Sequence, residues 1–359
     1  MKIGFVLPGT CRFPGGGFKV VYEYANFLAS HGHKVSIYFD CSSSLKRFHL
    51  PESVRKIAAR YLVWKRPSWF PLDPQVRKIC VFGVTNQVIS QGDAIFATAV
   101  STAVPVSRLS ADKGQKFYLI QGYENWEVSD AEVQATYQLG MTNIVVSKWL
   151  ENIVQKFAPH PVLISNSINS DVFNIQKPLN QRNRYSLIFH WRKESYKGGG
   201  FALELIEKLH RKYPDFKFTA ISNLAKPENF PNYVEYVYGI PPEEVARLNN
   251  QHALFVCTSV AEGFGLPGLE GMACGCALVS SGYQGVYDYA VNEENALISP
   301  VKDVDAMFRN VERLLRDDSL RIRLAQAGYE CAMKRTLAVT GTRLERLLLS
   351  DGCKIYKID

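Results

Sequence analysis

The sequence predicts an α/β protein made of two doubly wound domains, and three observations carry that prediction. Short apolar runs of strand length alternate with helix-spaced apolar patterns along the chain. The alternation begins twice, at Lys2 and at Tyr185, in halves of similar size. In each half the first strand opens into a glycine-rich turn that leads into a helix. With 359 residues the chain can bury two cores, and 47% hydrophobic against 21% charged residues is a globular balance. No run approaches the roughly 18 apolar residues that span a bilayer. The start, MKIGFVLPG, reads as a strand rather than a secretory leader, so cytoplasmic residence is expected.

In the first half, Lys2 to Leu7 is an apolar strand and Pro8 to Gly17 a loop ending in Gly15, Gly16 and Gly17. A helix follows over Phe18 to Ser30, with Val20, Val21, Tyr24, Phe27 and Leu28 at helical spacing; Gly32 stops it, and Lys34 to Phe39 is the next strand. The glycines do not spell GxGxxG, so a dinucleotide site is underspecified. The formal charge of +8 suits an anionic ligand or surface, and no nucleic-acid motif accompanies it. Much of the excess lies between Lys46 and Lys78, where Lys46, Arg47, Arg55, Lys56, Arg60, Lys65, Arg66, Arg77 and Lys78 interleave with Tyr61, Trp64, Trp69 and Phe70. Such a segment is either a solvated helix with a loop near Pro67 to Pro74 or a peripheral membrane contact. Strands are expected over Ala94 to Thr98, Lys116 to Gln121 and Asn143 to Ser147, with a helix over Lys148 to Phe157. The polar cluster from Gln121 to Trp126, including Glu124, ends a strand, where doubly wound sheets bind ligands. The polar, aperiodic stretch from Pro178 to Arg184 places an interdomain linker between Asn166 and Arg184.

The second half opens with a strand over Tyr185 to Trp191, then Arg192 to Gly200, RKESYKGGG, and a helix over Phe201 to Lys212. Strands follow over Lys217 to Ser222, Val234 to Val237, Ala253 to Thr258 and Ala277 to Ser281. Between the last two lies Glu262 to Glu270, EGFGLPGLE. Its glycines let a backbone approach a ligand closely, and Pro267 favours the first turn of a helix whose free N–H groups can hold an anion. Two acids flanking a phosphate-compatible turn point to a ligand with both phosphate and hydroxyls, such as a nucleotide sugar. Cys274 and Cys276 form a CxC without a second ligand pair, which favours buried reduced thiols over zinc. Asp303-Val304-Asp305 resembles a metal-holding DxD but stands at a helix start, where Asp caps. No metal and no cofactor are expected.

The Glu, seven residues, Glu spacing of Glu262 and Glu270 resembles the signature of retaining GT-B glycosyltransferases, in particular family four. The Arg192, four residues, Lys197-Gly198 element is similar to the same family's diphosphate-binding element, and Val162 to Phe173 resembles its Asn-Gly-Val-Asp segment with Ser167 in place of glycine. The resemblance implies two Rossmann-like domains facing across a cleft. Residues 1–170 would form the acceptor domain, 171–335 the nucleotide-sugar domain, and 336–359 a helix crossing back to the first. It implies Glu270 on the ribose, Glu262 beside the donor sugar, and backbone donors from Phe264, Gly265 and Leu266. Arg192 and Lys197 would lie on the diphosphate, Gly16 and Gly17 facing the donor, and Ser222 and Tyr238 near the base. Many relatives carry a histidine in the region of Gln121 to Trp126, where this chain has none, and Gln121 or Glu124 is expected to substitute for it. The function implied is metal-independent, retaining transfer of a hexose such as glucose, from UDP by commonest usage; the basic, aromatic segment points to a lipid-linked or polysaccharide acceptor. A UDP-sugar epimerase would use a similar cleft, and a non-catalytic sugar-nucleotide binding protein is the other alternative, against which the intact set Arg192, Lys197, Glu262 and Glu270 counts.

Overall fold

The computed structural model describes residues 1–43, 51–126 and 128–350. The chain forms two compact units, one of Met1–Ser165 with Leu337–Asp359 and one of Asn166–Thr336.

The first unit is a parallel sheet of seven strands: β1 (Lys2–Leu7), β2 (Lys34–Asp40), β3 (Arg77–Val81), β4 (Ala94–Ala97), β5 (Gln115–Ile120), β6 (Thr142–Val145) and β7 (Val162–Leu163). Their order is β3-β2-β1-β4-β5-β6-β7. Central strands of such a sheet are covered on both faces, so they read as continuous apolar runs. Phe5, Phe96 and Phe117, from β1, β4 and β5, stack in a row with centroids 4.6 and 4.8 Å apart and are fully buried. The intervening helices are α1 (Gly16–Ser30), α2 (Glu52–Lys65), α3 (Val100–Ser107), α4 (Asp130–Tyr137) and α5 (Lys148–Val154). Helix α1 starts two residues before the expected Phe18, with Gly15 as its N-cap, so Gly16 and Gly17 form its first turn instead of a loop.

The basic, aromatic segment divides among helix α2, a loop and a strand. Arg77 and Lys78 belong to β3, which the sequence did not reveal, and Trp69 is buried against Tyr22 at 5.7 Å. Lys46 and Arg47 lie outside the described residues.

The last helix, α11 (Leu337–Leu349), packs on α1 within this unit. Gly341 permits the approach, since a Cβ there would lie 2.7 Å from the Phe27 ring. Glu345 accepts from both His31 and His33 at 2.8 Å. Burial pushes the Glu345 carboxyl up, but hydrogen bonds and charge from the two histidines outweigh it and leave the group below its ordinary value. A depressed acid stabilises fully above its unfolded pKa of about 4.3 and loses that contribution as pH falls through the folded value. Glu345→Gln is therefore expected to cost about 1 kcal/mol or less near neutrality, given solvent screening at His31. In urea melts the gap to wild type should shrink below about pH 4; a gap that widens there counts against the assignment.

The second unit has six parallel strands, β8 (Ser186–His190), β9 (Lys217–Ser222), β10 (Val234–Tyr238), β11 (Leu254–Cys257), β12 (Ala277–Ser281) and β13 (Ala296–Ser299), in the order β10-β9-β8-β11-β12-β13. Helices α6 (Gly199–Lys212), α7 (Pro242–Gln251), α8 (Leu266–Ala273), α9 (Val304–Arg316) and α10 (Asp318–Met333) cover it. Its core runs through Leu187, Leu205, Phe218, Leu254, Val279 and Leu314. Asp303 caps α9, its Oδ1 accepting from the Ala306 N–H at 2.8 Å.

The stretch read as a linker is instead fastened to this unit. Arg182 is buried and donates to the carbonyls of Lys177, Asn249, His252 and Cys274. A polar, aperiodic sequence here reflects one arginine satisfying several buried carbonyls, a pattern that leaves no periodicity to read. Cys276 is buried and its Sγ lies 3.1 Å from the Asn249 carbonyl oxygen. Burial pushes this thiol up to about 11, so it stays protonated at neutral pH.

Candidate functional site

In the second sheet β8 comes first in sequence, β9 pairs on one side of it and β11 on the other. Connections leaving β8 and β11 therefore diverge, and the crevice at their carboxyl ends is where such sheets bind ligands. Both motifs singled out in this half sit there: Arg192 to Gly198 directly after β8, and Glu262 to Glu270 after β11.

The two loops are stitched together through their backbones. Val260 and Ala261 N–H groups donate to the Tyr196 carbonyl at 2.8 and 3.2 Å, and Thr258 Oγ1 donates to the Gly198 carbonyl at 2.8 Å. Gly198 has φ of 68°, and a Cβ there would fall 1.9 Å from the Thr258 carbonyl oxygen, so only glycine fits both the conformation and the contact. That clamp brings Lys197 Nζ to 3.3 Å from Glu262 Oε2, while Glu262 Oε1 accepts from Ser259 Oγ at 2.6 Å. Arg192 is half-buried beside them, its Nη1 donating to the carbonyls of Trp191 (2.9 Å) and Ile221 (3.3 Å). Burial pulls the guanidinium below its ordinary value and the negative charges of Glu194 and Glu262 push back. Arg192, Lys197 and Glu262 thus form one charged group.

The signature turn rests on two buried tyrosines. Gly265, the N-cap of α8, has φ of 92°, and a Cβ there would lie 2.0 Å from the Tyr283 hydroxyl. The Tyr283 and Tyr289 hydroxyls lie 2.8 Å apart, and Tyr289 donates to the Gly265 carbonyl at 2.9 Å. Gly285 lies so close beneath that a Cβ would be 2.7 Å from the Gly263 carbonyl. Burial raises both phenols well above their ordinary value, so they remain donors. Among the described residues no side chain caps α8, and the N–H groups of Phe264, Gly265 and Leu266 donate to no other residue. Unpaired N–H groups at the positive end of a helix dipole are suited to an anion. Glu270, one turn into α8, is buried at 6% exposure. The structure thus places Arg192, Lys197, Glu262, Phe264, Gly265, Leu266 and Glu270 on two adjoining loops and one helix.

The remaining candidates divide. Ser222 and Tyr238 are register partners at the ends of β9 and β10, but Ser222 is buried with its Oγ accepting from Leu224 N–H at 3.1 Å, while Tyr238 is half-exposed. In the first unit Gln121 Nε2 donates to the Gly17 carbonyl at 3.1 Å, which brings the end of β5 to the start of α1. Gly16 precedes it in that first turn. Glu124 uses one oxygen to accept from Val100 N–H at 2.8 Å, at the start of α3. Sequence reasoning missed Ser259, Thr258, Tyr283 and Tyr289. Thr258, Tyr283 and Tyr289 act on partners distant in the chain, Gly198 and Gly265, whereas Ser259 acts on Glu262 three residues on and was signalled by the short polar run after β11.

A parallel sheet with an open helix start and two cationic side chains at its switch point defines a site suited to an anionic ligand. Residues 172–331, within the second unit, match the family model described as Glycosyl transferases group 1. The whole chain is similar in fold to a solved Anabaena protein, Alr3699/HepE in complex with UDP and glucose, with a TM-score of 0.72, 14% identity, and 98% and 100% of the two chains covered. It is 35% identical over 89 residues to the O-antigen chain mannosyltransferase B of Escherichia coli, covering 25% of this chain and 23% of that one. It is 23% identical over 200 residues to an uncharacterized glycosyltransferase of Methanocaldococcus jannaschii, covering 53% of this chain and 54% of that one. The chain therefore aligns with between about a quarter and about half the length of these two curated relatives.

Proposed function

We propose that this protein is a retaining, metal-independent glycosyltransferase that moves a hexose from a nucleoside-diphosphate sugar to a lipid-linked or polysaccharide acceptor. The observation that carries this reading is the charged group of Arg192, Lys197 and Glu262 beside the open start of α8. Breaking the glycosidic bond builds negative charge on the departing diphosphate. Arg192, held by carbonyls, is a fixed partner for that charge, and Lys197 is a mobile one that can exchange Glu262 for a phosphate oxygen. Their interaction grows toward the transition state, which is the condition for acceleration. With two cations and three N–H donors on the leaving group, no step calls for a metal. A β-phosphate oxygen takes the acceptor's proton as attack occurs on the face the diphosphate leaves. Glu270 holds the ribose hydroxyls and Glu262 orients the sugar. UDP and glucose are the proposed donor components, in keeping with the ligands of the Anabaena neighbour. A saccharide-chain acceptor is in keeping with the name of the Escherichia coli relative.

Thermal-shift measurements against UDP-, GDP-, ADP- and dTDP-glucose test the donor. UDP-glucose should raise Tm, since ligand at about 100 times Kd adds about 2.7 kcal/mol to the folded state. No shift with any of the four would end the donor assignment. Glu270→Gln should weaken UDP affinity by about tenfold or more, because a charge-assisted hydrogen bond to ribose is replaced by a neutral one. Titration calorimetry giving wild-type affinity would remove Glu270 from the site.

A further inference from the structure

Helix α2 carries apolar residues on two opposite faces. Ala59 and Val63 are buried in the unit, and α2 packs on β3 through that side. At 100° per residue, Val54, Ile57, Tyr61 and Trp64 fall within an arc of about 80° centred opposite to those two. All four face solvent, at 45, 66, 53 and 72% exposure. Single exposed apolar residues are ordinary, but four in one stripe with no core beneath them return nothing to folding. The chemistry around the stripe names what covers it. Helix α2 holds four cations, Arg55, Lys56, Arg60 and Lys65, against the one anion Glu52. Arg60 borders the stripe on one side and Lys65 on the other. Tyr61 and Trp64 rings lie 5.8 Å apart, with Lys65 Nζ 6.0 Å above Tyr61. Lys56 and Arg60 are set against the Phe82 ring, and Lys78 Nζ donates to the carbonyls of Trp64 and Arg66 at the helix end, so the cationic border is held by the fold. Among the described residues no helix is long and apolar enough to cross a membrane.

We propose that α2 is an interfacial helix that seats the protein on an anionic lipid bilayer through Ile57, Tyr61 and Trp64. Tyr and Trp place an apolar ring at the acyl boundary and a polar edge among headgroups, and the flanking cations meet lipid phosphates. A protein partner would favour a wider apolar patch free of charge at its centre; this narrow stripe between cations matches a charged, planar surface. The proposal is independent of the nucleotide site, so UDP-induced thermal shift without lipid tests the one and leaves the other untouched.

Flotation with phosphatidylcholine vesicles, with and without phosphatidylglycerol, tests it. Wild type should float with the anionic vesicles, less with phosphatidylcholine alone, and less at high salt. The triple variant Ile57→Ser, Tyr61→Ser and Trp64→Ser should lose partitioning by about tenfold or more at unchanged Tm, because the side chains removed are exposed. Should that variant fold poorly, Arg60→Glu with Lys65→Glu tests the same face through charge and should also abolish anionic binding. Wild type that does not float, variants that float equally, or a wild-type dimer that the triple variant breaks without any vesicle binding would each overturn the proposal, the last by assigning the stripe to a second copy.

Discussion

Lys197→Ala is expected to lower turnover by about three orders of magnitude while changing nucleotide affinity by about tenfold at most. The split follows from where the ammonium sits. It is paired with Glu262 at 3.3 Å, so trading that carboxylate for a ground-state phosphate gains little. As the glycosidic bond lengthens, the diphosphate charge rises and the ammonium interacts with it more strongly than with Glu262. Removing it therefore acts on kcat much more than on KM. Nucleotide release from UDP-glucose, measured with and without acceptor, reports both parameters. A variant with wild-type kcat would sink the leaving-group role. A raised KM at that unchanged kcat would make Lys197 a ground-state binder only.

Gly198→Ala is expected to destabilise the second unit by about 3 kcal/mol and to abolish activity. Two costs add. A non-glycine residue at φ of 68° pays about 1 kcal/mol, and the new Cβ, 1.9 Å from the Thr258 carbonyl oxygen, must force the two loops apart. Separating them breaks the Thr258 to Gly198 and Val260 to Tyr196 bonds that bring Lys197 to Glu262. Gly200→Ala is the matched control, since nothing lies within 4 Å of a Cβ there. Denaturant unfolding of the two variants should differ by about 3 kcal/mol; equal stabilities would show that the loops are not clamped through this glycine.

Both effects arise between segments some 60 residues apart in the chain, and this marks where the sequence stops being legible. The central strands of both sheets read directly, because they are apolar on both faces, whereas the edge strand β13 (Ala296–Ser299) was not expected. Nor was strand β3, because an edge strand beginning Arg77-Lys78 is half-exposed and breaks the apolar run. The stretch around Arg182 misled in the opposite direction: a buried arginine looks like a solvated one until its carbonyl partners are known. In the basic segment, composition marked charge and aromatic rings, but only burial separates Trp69, inside the unit, from Trp64, outside it.

The sequence by itself determined the α/β class, the two starts of strand, glycine turn and helix, and the residue types and spacings of the Arg192–Lys197 and Glu262–Glu270 motifs, because these are set by local periodicity and by backbone freedom at glycine. Only the tertiary structure decided that Lys197 pairs with Glu262, that Tyr283 and Tyr289 support Gly265, and that α2 turns an apolar stripe outward. The physical reason is that a hydrogen bond or a buried face belongs to two segments at once, and no single stretch of chain records its partner.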